Sequence, residues 1–407
     1  MSSSGFSDAP KLFRQPDVAK LIVAYLITYT GTAMAPIAMA FGVLELTGST
    51  RDSAIVIAAP AIASVGVLLI SGVLADRTSR QRMIVLAEGL AMVVQLLIAH
   101  QFLSNTATVP VLTALMLALG VAMALNVPAS AGLVIQIVNR DQFQTVNALL
   151  GTARNGAMLV GAALAGILVA AFGAGVTLAI DAASFGVSAL LVMSLRPRLQ
   201  ARPERASVVQ DLRLGWREFR SHTWLWVIVL QFSLLVAVME SVFGLLGPAV
   251  ALEHLNGARD WGFIAASFGG GTLLGGVLAL RVRPRYPMRF ATLCTFTFLG
   301  VPLALSVPLS LSLIAAAAFV EGVAGQLFAV LWYTTLQQRI PPHLLSRVSA
   351  YDHLGSIVLA PLGVVVAGFS FELIGYRATL LIASLTILLP CMAAFSVRDV
   401  RMMTSSE

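Results

Sequence analysis

Twelve long, mainly apolar stretches run through this chain, separated by short polar breaks. About twenty such residues in a helix cross the hydrocarbon core of a bilayer. The stretches are 20–46, 52–75, 82–103, 109–138, 143–171, 174–195, 223–251, 261–280, 288–309, 311–338, 345–372 and 376–396, here spans 1 to 12. Only 11% of the residues are charged, less than half the roughly 25% of a soluble domain. Water is therefore not the main solvent, and the expected fold class is an all-α membrane protein with twelve transmembrane helices. The first run, from about Leu21, is too long for a signal-peptide core and is expected to be a retained helix.

The formal charge of +7 first suggests a nucleic-acid partner. Its distribution argues against one. With the N-terminus placed in the cytoplasm, 22 of the 26 Lys and Arg fall in cytoplasmic segments. Only Arg51, Arg259 and Arg377 fall on the opposite side, and Arg154 lies inside span 5. Such a bias is the positive-inside signal of a multi-pass protein. It predicts both termini in the cytoplasm of a plasma or inner membrane.

No chemistry of another kind stands out. Cys294 and Cys391 lie in apolar runs without CxxC spacing and read as buried small hydrophobes. No metal site or cofactor is expected. There is no GxxxxGK[ST] loop, GxSxG elbow or HExxH pair, so an ATP-driven pump, an intramembrane hydrolase or another enzyme is not expected.

The chain also repeats itself. "QIVNRDQFQTVNA" at 136–148 aligns with "QRIPPHLLSRVSA" at 338–350, an offset of 202. At that offset Gly161 meets Gly363, Gly166 meets Gly368, Gly173 meets Gly375 and Thr177 meets Thr379. "GVLADR" at 72–77 meets "GVLALR" at 276–281. Two pseudo-symmetric six-helix bundles follow, 1–195 and 223–407, joined by a basic amphipathic linker at 196–222 suited to the cytoplasmic membrane surface. A duplicated half is the build of carriers that rock about a central site.

The loop between spans 2 and 3, "SGVLADRTSRQR", concentrates one Asp and several Arg between two apolar helices. With Gly72, Asp76, Arg77, Arg80 and Arg82 it resembles the loop signature of the major facilitator superfamily. The resemblance implies a conformational latch of Gly72, Asp76, Arg77 and Arg80. In it the glycine permits close helix approach and the Asp meets the start of span 11, where a helix N-terminus favours a carboxylate. The arginines hold that Asp or face anionic lipid. Leu280 stands where Asp76 does in the second half, so only one latch is charged. Residues 329–368 and "IDAASF" at 180–185 look like a branch of the superfamily with enterobactin and macrolide exporters. That likeness implies export of a small organic molecule by proton antiport.

Five carboxylates fall inside spans: Glu88, Asp181, Glu240, Glu321 and Asp352. Each costs at least ~2.5 kcal/mol at membrane depth, so each is expected to face a cavity or a partner. Glu240 is the deepest. Gly244, Gly247 and Pro248 follow it, where the helix can bend, and it ranks first as a proton-coupling or substrate residue. Glu321, between Phe319 and Gly325, ranks next, before Asp181, Glu88 and Asp352. Arg154 is expected to pair with one of them or with an anionic substrate group. Span 4 lacks the Arg tied to proton coupling in the superfamily's drug antiporters; its polar groups are Asn126, Ser130 and Gln136. Tyr25 and Tyr29, four apart on one face of span 1, join Asn126 and Trp332 as cavity-lining candidates for an amphipathic cargo.

The leading expectation is a secondary-active exporter of drug-like or siderophore-like molecules, working as a monomer with protons and the bilayer as its other partners. An importer or flippase of a metabolite or lysophospholipid on the same fold is the nearest alternative. A non-transporting sensor or assembly factor is the alternative of another class, and the cost of five intramembrane carboxylates argues against it. The topology predicts that cysteines placed at Ser104 and Ser310 react with impermeant reagents only from outside the cell. Labelling from the cytoplasmic side overturns it.

Overall fold

A computed structural model describes residues 14–138, 142–197, 208–307 and 309–404, and all regular structure among them is helical. The helices are α1 (Pro16–Thr47), α2 (Thr50–Arg77), α3 (Arg80–Leu103), α4 (Val109–Ile137), α5 (Phe143–Met193), α6 (Val208–Ser221) and α7 (Thr223–Ser241). They continue with α8 (Gly247–His254), α9 (Ala258–Ala279), α10 (Pro287–Thr295), α11 (Gly300–Ser306) and α12 (Leu311–Arg339). The last are α13 (Pro342–Ile357), α14 (Ala360–Ser396) and α15 (Arg398–Met402).

Among the described residues, ten helical stretches are long and apolar enough to cross a membrane. Two of them each hold two spans. α5 and α14 are broken by non-helical glycines, Gly173 (φ 80, ψ 173) and Gly375 (φ 80, ψ 164). That region of backbone space is open essentially to glycine alone. Spans 5 and 6, and spans 11 and 12, thus join through a single residue, and the twelve expected spans are recovered. In each half the first turn after the break is closed alike. The Thr177 hydroxyl donates to the Gly173 carbonyl at 3.1 Å, and the Thr379 hydroxyl donates to that of Gly375 at 2.9 Å. The repeat seen in the sequence is a repeat of these two breaks.

The chain divides into two compact units: Met1–Arg202 with Gly257–Gly262, and Pro203–Asn256 with Phe263–Glu407. In the first, α1 packs along α5, α3 packs on α4 and α5, and α2 packs on α4. Its core includes Leu21, Ile84, Leu133, Val146 and Val192. In the second, α7 packs on α14 and α13, and α10 packs on α12. Its core includes Leu225, Met288, Phe328, Trp332 and Val348. One close approach recurs in both units. A Cβ on Gly161 would lie 2.6 Å from the Thr30 carbonyl, and one on Gly363 would lie 2.6 Å from that of Ala237. Small residues here let the helix backbones touch.

Outside these cores, large apolar side chains stand exposed, Leu86, Leu190 and Leu373 among them. In water such a surface aggregates; in a bilayer it faces lipid. The linker helix α6 is the exception to the long-helix pattern. Its Phe219 is buried in the second unit's core, and its Trp216 ring lies 5.4 Å from that of Tyr351 on α13.

Three spans of the second unit are irregular. Span 7 holds a π-helical segment, Val242–Leu246, between α7 and α8. Span 9 holds a 3₁₀ segment, Phe296–Leu299, between α10 and α11. Span 11 breaks at residues 358–359, between α13 and α14. Such segments often mark functional hinges.

The Gly-only geometry makes a stability prediction. Gly173→Ala and Gly375→Ala should each destabilise the purified protein by about 1–3 kcal/mol. Gly151→Ala, inside a helix with open space around it, should be neutral or stabilising. Thermal unfolding in one detergent checks all three.

Candidate functional site

Polar side chains from four spans converge inside the first unit. α1 supplies Tyr25, Thr28 and Tyr29, α3 supplies Glu88, α4 supplies Asn126 and Ser130, and the part of α5 after Gly173 supplies Ser188. They line a chamber of about 40 Å³ closed by Leu21, Ile84, Leu133 and Val192. The Tyr25 and Tyr29 rings stack at 5.5 Å between centroids, as their four-residue spacing allows. Tyr25 hydrogen-bonds with Ser130, and the Ser130 hydroxyl donates to Asn126. Glu88 is 4% exposed; its Oε1 accepts from the Ser188 hydroxyl at 2.8 Å. Its Oε2 has no hydrogen-bond partner, and neither does the buried Thr28 hydroxyl.

A second cross-tie links the same helices. Asp181, 1% exposed, accepts from Gln95 Nε2 at 2.9 Å, and the Ser184 hydroxyl donates to its backbone carbonyl at 2.7 Å. Gly31 of α1 gives this pair its room: an added Cβ would lie 2.6 Å from Asp181 Oδ1 and run into Ser184 Oγ. The tie between spans 3 and 6 is completed at their other ends by Gln81. Its amide nitrogen lies 2.8–3.1 Å from the carbonyls of Val192, Met193 and Leu195, the open end of α5. Sequence reasoning passed over Gln81, Gln95 and Ser188. Uncharged polar residues carry little signal in a single sequence.

The second unit builds the corresponding tie without charge. Gln231 Nε2 donates to Thr295 Oγ1 at 2.8 Å and approaches Cys391 Sγ at 3.2 Å, joining spans 7, 9 and 12. Cys391 is thus a hydrogen-bonding member of the core as well as a small apolar one.

The other candidates are spread out. Glu321 is fully buried. Its carboxyl approaches the backbone amide of Val301, just past the 3₁₀ segment, yet neither oxygen completes a hydrogen bond. Asp352 accepts from Trp332 Nε1 at 3.0 Å, and both are buried. Trp332 also packs on Phe328 and Trp224. Trp332, expected to line a cavity, is buried in the second unit's core and held by Asp352. Glu240 is exposed on the second unit, two residues before the π segment. Arg154 is exposed and acts electrostatically on Tyr29; it makes no ion pair with a carboxylate among the described residues.

Of the latch group, the side chains of Gly72, Asp76 and Arg77 lie outside the described residues. Arg80 is described, and its guanidinium donates to the Gly132 carbonyl on α4 at 2.8 Å. It ties the start of span 3 to span 4. Among the described residues no group of three or more His, Cys, Asp or Glu could hold a metal.

The Major Facilitator Superfamily model matches residues 21–352. The chain belongs to that superfamily. It is 27% identical over 396 residues to the multidrug efflux pump Tap of Mycobacterium tuberculosis, covering 93% of this chain and 92% of that one. It is 26% identical over 392 residues to the enterobactin exporter EntS of Citrobacter koseri, covering 91% and 92%. Among solved structures, the nucleoside transporter NupG superposes with a TM-score of 0.75 at 13% identity, covering 94% of this chain and all of that one. The chain is accordingly a multi-pass membrane protein of the superfamily's two-bundle, all-helical fold.

The packing at Gly31 makes a specific prediction. Gly31→Ala should cost about 1–3 kcal/mol by overpacking, and adding Ser184→Ala should recover part of the loss. Thermal unfolding of the single and double variants measures both.

Proposed function

We propose that this protein is a secondary-active exporter of small amphipathic organic molecules, driven by proton antiport through alternating access. The observation that carries this reading is likeness over more than nine-tenths of the chain to two efflux pumps of unlike cargo. The cargo reading is correspondingly broad: drug-like or siderophore-like molecules. The charge asymmetry of the loops supports a cell-membrane protein with both termini in the cytoplasm.

For the proton carrier, the structure favours a different order from the sequence. Glu321 is fully buried, without a completed hydrogen bond, beside a helix interrupted by 3₁₀ geometry. A charge held there without a partner costs several kcal/mol, so its protonation state is tied to what surrounds it. A change in span 9 that admits water or a donor changes that cost directly. Glu240, exposed beside the π segment, is better placed to meet solvent or cargo. Asp181 and Asp352 are engaged by Gln95 and Trp332 and serve as structural ties. Asp76 and Arg77, with Gly72 and Arg80, are proposed as the latch that biases the two states of the carrier.

Reconstituted vesicles test the reading, with ethidium and enterobactin as cargoes and a pH dye inside. Cargo addition should release a preset pH gradient. Glu321→Gln should still bind cargo and lose gradient-driven accumulation, whereas Glu240→Gln should weaken cargo binding and keep the coupling. Full coupling in Glu321→Gln with loss in Glu240→Gln restores the order expected from sequence. Cargo movement indifferent to the gradient in the unaltered protein ends the antiport reading.

A further inference from the structure

The chamber of the first unit sets several side-chain oxygens among apolar walls, and the exporter reading leaves it without a task. Glu88 Oε2 and Thr28 Oγ1 are buried in it without partners. Tyr25, Tyr29, Asn126, Ser130 and Ser188 place further oxygens on the same lining. Among the described residues no cationic side chain is part of that lining; Arg154, which acts on Tyr29, is exposed and lies outside it. A buried carboxylate oxygen left unpaired is costly, and carboxylate and hydroxyl oxygens such as those of Glu88 and Thr28 are ligands for hard cations.

Charge and size narrow the choice. Among the described residues, Glu88 is the only carboxylate on the lining. One negative charge balances a monovalent ion, whereas oxygen sites for divalent ions recruit several carboxylates and more donors. A chamber of about 40 Å³ is too small for an organic cargo, whose pockets run to roughly 300 Å³ or more. It holds an ion with one or two waters. Because its walls are helices packed within one unit, its size is set by the fold and favours the smaller of the common alkali cations. We propose that the chamber is a sodium site, with Glu88 and Thr28 as ligands and Ser188 orienting the Glu88 carboxylate. The proposal goes beyond the exporter reading and does not depend on it.

Binding is tested without transport. The purified full-length chain is unfolded thermally at pH 8 in sodium, potassium or choline chloride at one ionic strength. Sodium should raise the midpoint saturably by a few degrees, as a ligand of the folded state does, and radiosodium should bind with one site per chain. Glu88→Gln should abolish both while keeping its choline midpoint. Ser188→Ala should raise half-saturating sodium about tenfold, the usual effect of removing a group that orients a ligand. Thr28→Val should weaken binding too, and with Ser188→Ala it decides the matter should Glu88→Gln fail to fold. Equal midpoints in sodium and choline overturn the proposal and leave the chamber to water. So does a sodium response that survives in Glu88→Gln, or an equal response to potassium. None of these outcomes bears on cargo export, which the vesicle assay reads separately.

Discussion

A polar group inside a bilayer has no water to fall back on, and everything distinctive in this chain follows from how it meets that constraint. The backbone meets it with helices. The side chains meet it with cross-ties between helices: Gln95 with Asp181, Ser188 with Glu88, Trp332 with Asp352, and Gln231 with Thr295. These ties do what a hydrophobic effect cannot do among helices already surrounded by apolar lipid. They give each helix a preferred partner and register. Gln81 extends the logic to a helix end, placing its amide at the carbonyls of Val192, Met193 and Leu195 around the end of α5.

The two units use the constraint unequally. The first joins its spans 1, 3 and 6 with two buried carboxylates, Glu88 and Asp181. The second joins spans 7, 9 and 12 with Gln231, Thr295 and Cys391, all uncharged, and uses its buried Asp352 to tie span 11 to span 10. In the loops, Leu280 stands opposite Asp76 in the repeat and is exposed. Duplication kept the packing, down to the paired Gly161 and Gly363 contacts, while charge was placed independently in each half.

What was legible in the sequence was whatever leaves a run, a count or a repeat. The twelve spans were visible as apolar runs. The Gly173 and Gly375 breaks were visible as one pair in the repeat, although nothing in the letters said that each joins two spans through a single residue. The candidate acids were visible because acids are rare in spans. Their partners were not, because Ser188 lies 100 residues from Glu88 and Gln95 lies 86 from Asp181. Only the fold brings them together. The π and 3₁₀ segments were hidden for another reason. "VFGLL" and "FTFL" are as apolar as the regular helix on either side, so no period or composition marks them. The glycines after Glu240 hinted at a bend but not at its form. An aromatic in a span, such as Trp332, reads alike whether it faces a cavity or a core.

Among the described residues, the π and 3₁₀ segments that interrupt spans fall in the second unit. Among the described residues of spans 1 to 6, no π or 3₁₀ segment interrupts a span, although Pro36 and Pro60 lie inside α1 and α2. The polar chamber there is held by side-chain bonds between regular helices, which suits a site of fixed shape. Spans 7, 9 and 11 each contain a stretch where the hydrogen-bond pattern changes. At such a stretch the backbone can exchange one pattern for another without breaking the whole helix. Glu240 lies immediately before one of them, and Glu321 faces the amide just beyond another. A carboxyl against a regular helix meets amides already bonded within it. A carboxyl against an interrupted helix meets amides that the interruption can offer or withdraw. The second arrangement alone lets a small backbone change alter the cost of a charge. This is why coupling is proposed for Glu321, which faces the interrupted span 9, and not for the better bonded Asp181 and Asp352.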